Sequence, residues 1–215
     1  MGHNIEDTFI LSKQGWIPIL STAALFLFFV VAGWSLFEFS FGALLIALLI
    51  LFRNPERSSQ LHEPLSIVSS VDGVVLGIEE SVIGERKMKK ITFLNSLWSV
   101  SMLRAPFDGT MEGCQVRHGV SLPLNHPLSE KLNEKALLSF RSVEGNEIVM
   151  EHLSDRSCFS IAIEGDEGKK IKEGSRYGFL AKGRTVVYLP EDAIVTLHLG
   201  ADVRAGETLI GRFAA

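Results

Sequence analysis

A chain of 215 residues with a formal net charge of −4 and no basic block is long enough for one cored domain plus an anchor, and is a poor partner for nucleic acid. Cys114 and Cys158 lie far apart and match no CxxC redox or zinc spacing, so they read as small buried thiols in a reducing compartment. Apolar residues make up 47% of the chain, and their uneven distribution separates an anchor from a domain.

Residues 1–14 form a polar tail, followed by an apolar stretch at residues 15–53. From Gly15 to Phe37 there is no charge, and after Glu38 the chain is again uncharged from Phe39 to Phe52. About 20 apolar residues suffice to span a bilayer, so "GWIPILSTAALFLFFVVAGW" predicts a transmembrane helix. The second run is shorter and predicts the return arm of a tight helical hairpin, with its turn near Gly33 to Ser35. A cleaved signal peptide fits less well, because no small-residue cleavage site separates the two runs. Lys13 precedes the hairpin while Arg53 and Arg57 follow it, which places both ends in the cytoplasm, at the cell (inner) membrane.

A Pro-bearing linker at residues 54–65 leads to residues 66–215, where the apolar period becomes alternating. "LSIVSS", "GVVLGIEE", "KKITFLN", "WSVSMLRAP", "GNEIVMEHL", "CFSIAIEG", "TVVYLP" and "AIVTLHLG" predict strands. The pairs Asp72-Gly73 and Asp108-Gly109 predict tight hairpin turns. Only His126 to Phe140 reads as a short helix, so the fold class is mainly β (α+β). "APFDGTMEGCQVRHGV" and "VTLHLGADVRAGETLIG" share a strand, turn, strand, glycine layout and suggest two related halves.

No pair among His3, His62, His118, His126, His152 and His198 has the spacing of a HExxH or zinc-finger site, so no metal is expected. Gly174-Ser175 is a Gly-Ser bond, and Lys182-Gly183-Arg184 leads into an apolar strand. Either stretch could be a mere turn.

Read in order, "LFRNPER", "VSSVDG", "ITFLNSLWSVSMLRAPFDGT", "LNEKA", "EGSRYGFLAKGRTVVYLP" and "GADVRAGETLIG" resemble the short, membrane-anchored form of the phosphatidylserine decarboxylases. The resemblance implies that family's β domain behind the hairpin. It also implies its chemistry, in which a serine after a glycine attacks the glycine carbonyl and becomes a pyruvoyl group, the electron sink for decarboxylation.

Carried over residue by residue, the family's serine-proline-alanine-aspartate-glycine motif falls on Ser69 to Gly73, which keeps its aspartate as Asp72. In the family that aspartate helps orient the self-cleavage base; the plainer reading is a turn residue. The family's aspartate and histidine fall on Ser99 and Ser101, and a hydroxyl has no proton affinity near neutral pH. The self-cleavage position falls on Gly183-Arg184 in a stretch one residue shorter than the family's, so the pyruvoyl-forming serine is missing. Ser175 stands nine residues from that site, and Thr185 would give a bulkier product after a non-glycine bond. Of the family's paired-arginine stretch only Arg156 is hinted at. Arg104, His118 and His126 are the remaining candidates to meet a lipid headgroup.

The expectation is a degenerate family member without a cofactor, pyruvoyl being present only if the chain still processes itself. Its expected partners are membrane phospholipids, phosphatidylserine among them, and a second copy or a family paralogue. The active decarboxylase is the alternative. A third reading is a biotinyl or lipoyl carrier-like module with Lys89 at a hairpin tip.

Overall fold

The computed structural model describes residues 11–57, 65–83 and 86–214; His3, His62 and most of the 54–65 linker lie outside them. Two compact units divide at Glu56 and Arg57.

In the first unit, a 3-10 turn at Lys13–Gly15 runs into α1, Trp16–Ala32, and α2 follows at Ser35–Leu51. Both helices are apolar on every side, the pattern of a helix that faces lipid or a dry core. Gly33, at φ +72°, closes α1 in the left-handed conformation, which lets the Trp34 N–H reach the Phe29 carbonyl at 3.2 Å. The helices return on each other: Phe29 stacks on Phe37 and Phe41 at 4.9 and 5.2 Å, and the Ser12 N–H bonds the Phe52 carbonyl at the other end. The span Lys13–Ala32, 20 residues, is long and apolar enough to cross a membrane; α2, with 17, is shorter.

Among the described residues, the second unit holds fourteen strands: β1 Ser66–Val68, β2 Gly73–Ile83, β3 Arg86–Asn95, β4 Met102–Arg104, β5 Gly109–Arg117, β6 Lys135–Ser142, β7 Glu147–Ser154, β8 Ala162–Ile163, β9 Lys169–Ile171, β10 Arg176–Phe179, β11 Gly183–Pro190, β12 Ile194–Val195, β13 Asp202–Val203 and β14 Leu209–Arg212. One sheet has the order β13-β2-β3-β11-β7-β6-β5-β9, and two small ones the orders β1-β14-β12 and β4-β10-β8. In the segment expected to be helical, only α3, Ser129–Leu132, is helix, and Lys135–Ser142 is strand. Ala136, Leu138 and Phe140 alternate inward there, and a period of two outweighs the local helix formers.

These orders are unchanged when β1, β2, β3, β11, β12, β13 and β14 are exchanged with β4, β5, β6, β7, β8, β9 and β10. The domain is therefore two related halves, the second inserted between β3 and β11 of the first. Asp-Gly-x-x-x-Gly opens β2 and β5 alike, and both strands bulge at the same offset, between Val75 and Gly77 and between Met111 and Gly113. Gly168 and Gly174, at φ +82° and +73°, match Gly200 and Gly206, at +78° and +74°. The matching segments differ from those the sequence suggested, since β5 corresponds to β2 and β12 to β14 correspond to β8 to β10.

The Asp-Gly pairs are also not hairpin turns. β1 pairs with β14 and β4 with β10, so each pair carries the chain from a small sheet into the large one. Their glycines permit close approach: a Cβ on Gly73 would stand 2.3 Å from the Leu94 carbonyl oxygen, and one on Gly109 2.1 Å from that of Arg141. Gly73→Ala and Gly109→Ala are each expected to lower stability by about 1–3 kcal/mol through overpacking. Thermal melting of the full chain checks this, and an unchanged midpoint would contradict the close pairing.

Gly73, Asn95, Arg117, Lys135, Ser154 and Gly183 end or begin their strands at one rim of the large sheet. The core lies on the sheet's inner face, where Phe93, Phe140, Met150 and Val187 are fully buried and Phe140 packs on Tyr177 at 5.2 Å.

Candidate active site

The rim gathers most of the residues singled out by the sequence. Asp72 precedes β2 and is 8% exposed. Its carboxylate takes a fork from Arg57, at 2.5 Å to Oδ1 and 2.8 Å to Oδ2, and accepts the N–H of Ala205 at 2.8 Å and of Val100 at 3.4 Å. Burial pulls the Arg57 guanidinium down, but the hydrogen bond and charge of Asp72, with Glu207 behind them, outweigh it and hold its pKa above the ordinary arginine value. In the other half, Asp108 Oδ1 accepts the N–H of Glu173 at 2.6 Å, the counterpart of Ala205. The aspartate thus has a fold-building contact that recurs in the second half.

Ser99 sits half-buried in the β3–β4 loop, 3.3 Å from Ser96 Oγ. Ser101 is buried, and its carbonyl accepts the Leu180 N–H. Gly183 opens β11 between Asn95 of β3 and Ser154 of β7, and a Cβ there would stand 2.1 Å from the Leu153 carbonyl oxygen. Arg184 points to the outer face, where its guanidinium pairs with Glu130 of α3. Thr185 points the opposite way, into the core.

The other candidates lie elsewhere or hold loops in place. Ser175 is in the turn before β10, after Gly174, and its hydroxyl donates to the Lys172 carbonyl at 2.6 Å. Buried Arg104 donates to the Gly174 carbonyl at 2.8 Å. Exposed His118 lies 3.0 Å from Glu134 Oε1, and His126 Nδ1 accepts the Leu128 N–H at 3.2 Å. Lys89 lies inside β3 and donates to the Ala193 carbonyl at 2.7 Å, so it is on no hairpin tip and the carrier reading loses its arm. Among the described residues, no group of three or more His, Cys, Asp or Glu could hold a metal ion.

Sequence reasoning missed a buried chain of polar groups on the inner face. Thr185 Oγ1 donates to Asn95 Oδ1 at 3.0 Å, and His152 Nδ1 stands 2.9 Å from the same Oγ1. His152 Nε2 is 2.9 Å from the Tyr177 hydroxyl, and the Asn95 amide donates to the Asp72 carbonyl at 2.7 Å. Since the threonine proton is directed at Asn95, Nδ1 carries the imidazole hydrogen and Nε2 accepts from Tyr177. Burial lowers the His152 pKa to about 3 and raises that of Tyr177, so both are neutral near pH 7. An imidazole of that basicity, already donating to the hydroxyl, does not take its proton. The signal was present in "IVMEH": His152 continues the inward alternation of Ile148 and Met150.

The profile of the family described as phosphatidylserine decarboxylase matches residues 45–211. The chain belongs to the phosphatidylserine decarboxylase family. It is 30% identical over 175 residues to a phosphatidylserine decarboxylase proenzyme of Geobacter metallireducens, covering 80% of this chain and 79% of the relative. The proenzyme so named in Geotalea daltonii is 29% identical over 199 residues (91% and 93%), and that of Rickettsia rickettsii 26% over 212 (95% and 90%).

A pyruvoyl group arises from a residue whose side-chain oxygen attacks the carbonyl before it. Arg184, where the resemblance places that residue, has no such oxygen, and its charged end is held by Glu130. Ser101, at the family's histidine position, supplies no base.

Proposed function

We propose that this family member stays a single uncut polypeptide, anchored by its helical hairpin with both ends on the cytoplasmic side, and serves phospholipid metabolism by binding lipid headgroups or regulating a partner. The observation that carries the reading is Arg184, a side chain without a nucleophilic oxygen, ion-paired on the outer face where the family's serine stands. Three further features support it. Asp72 is held by Arg57 and backbone N–H groups, Ser101 replaces the histidine, and the Thr185 hydroxyl donates its proton to Asn95. The partners of this reading are membrane phospholipids, phosphatidylserine among them, and a second copy or an active paralogue. No cofactor is bound in it.

Intact mass and a denaturing gel of protein expressed in membranes test the covalent state. One chain of full mass is expected. A carboxyl-terminal piece beginning at Ser175 or Thr185, with a carbonyl reducible by borohydride on its first residue, would overturn the reading in favour of an active decarboxylase with its own cleavage site.

A further inference from the structure

The rim that carries Asp72 also carries exposed apolar side chains with no place in the site. Trp98 is 76% exposed and Leu97 45%, in the loop after β3. Leu128 and Leu132 are 46% and 47% exposed, on either side of Glu130, whose carboxylate holds Arg184. Since Arg184 faces Leu94, one residue before the end of β3, both pairs border the same end of the sheet. Exposed Lys131 stands between Leu128 and Leu132 in the chain, and exposed Arg156 follows the rim end of β7 by two residues.

The point where the chain enters this domain is on that rim too. Arg57 forks onto Asp72, and Asp72 Oδ2 accepts the N–H of Val100, two residues beyond Trp98. Arg57 follows Phe52, just past α2, by five residues, a reach of at most about 18 Å for an extended chain. A tether that short keeps the rim at high effective concentration near whatever holds the helices, so a small patch is enough for contact. Tryptophan and leucine interleaved with cations suit the headgroup region of a bilayer bearing anionic lipid.

We propose that this rim rests on the bilayer holding the amino-terminal helices, with Trp98 and Leu97 in the headgroup layer and Leu128, Lys131 and Leu132 beside them. The inference rests on the membrane-anchor reading and adds the face that the domain turns to lipid. That face also carries Asp72, Ser101 and Gly183, so a headgroup would meet the former catalytic rim directly from the membrane.

The test uses the full chain with Trp16→Phe and Trp34→Phe, which leaves Trp98 as the sole tryptophan. It is reconstituted in vesicles of phosphatidylcholine and phosphatidylglycerol whose acyl chains carry bromine close to the headgroup or close to the chain end. Trp98 emission is expected to be blue-shifted, to lose most of its intensity with shallow bromine, and to lose little with deep bromine. A companion chain keeps only Trp34, by Trp16→Phe and Trp98→Phe. Quenching of Trp34 together with a water-like, unquenched Trp98 overturns the rim contact while the anchor stands. Absence of quenching in both chains overturns the anchor and the rim contact together.

Discussion

Arg57→Ala is expected to destabilise the β domain by about 3–5 kcal/mol, the cost of leaving a buried carboxylate without its partner. The side chains of Arg57 and Asp72 are only 9% and 12% exposed, so water does not replace the guanidinium fork. Arg57→Ala/Asp72→Asn is expected to recover most of the loss, because asparagine removes the orphaned charge and keeps an acceptor for the Ala205 N–H. Denaturant melts of the full chain in detergent, followed by the strand signal, check both. If the single and double variants melt together, the ion pair does not hold the rim. The pair ties Arg57, the first residue of the second unit, to Asp72, where the resemblance places the family's self-cleavage aspartate.

The second large effect is on acid stability. Between pH 6.5 and about 3, the unfolded chain takes up a proton at His152 that the folded chain refuses. The contribution is therefore fully present above pH 6.5 and is lost as pH falls toward 3. At 1.36 kcal/mol per pH unit the loss reaches about 5 kcal/mol. His152→Gln, which keeps groups able to meet Thr185 and Tyr177 and does not titrate, is expected to flatten this dependence. Denaturant melts of the parent and the variant at about pH 7, 5 and 4 decide it. Parallel loss in the two would assign the acid sensitivity to other groups.

The contrast between Arg184 and Thr185 shows what was legible in advance. That arginine follows Gly183, and that residue 101 is serine, are matters of letters. That neighbouring residues 184 and 185 face opposite sides of a sheet, one toward Glu130 and the other toward Asn95 and His152, depends on which strands flank β11. Those strands are β3 and β7, about 90 and 30 residues earlier in the chain, and no local pattern names them. The Asp-Gly pairs misled for a related reason. Their composition fits a hairpin turn, but β1 and β4 find better partners in β14 and β10, and the glycines serve a close backbone approach instead.

By itself the sequence determined the apolar arms with Gly33 between them, the alternating period of residues 66–215, the family, and the presence of Arg184 after Gly183, because these rest on residue identity and on periods of two or 3.6. Only the tertiary structure decided that Asp72 is bound by Arg57, that the repeat pairs β2 with β5, and that His152 is sealed between Thr185 and Tyr177. Each of these joins segments far apart in the chain, and such contacts form because burying the inner sheet face leaves few registers that satisfy every inward polar group.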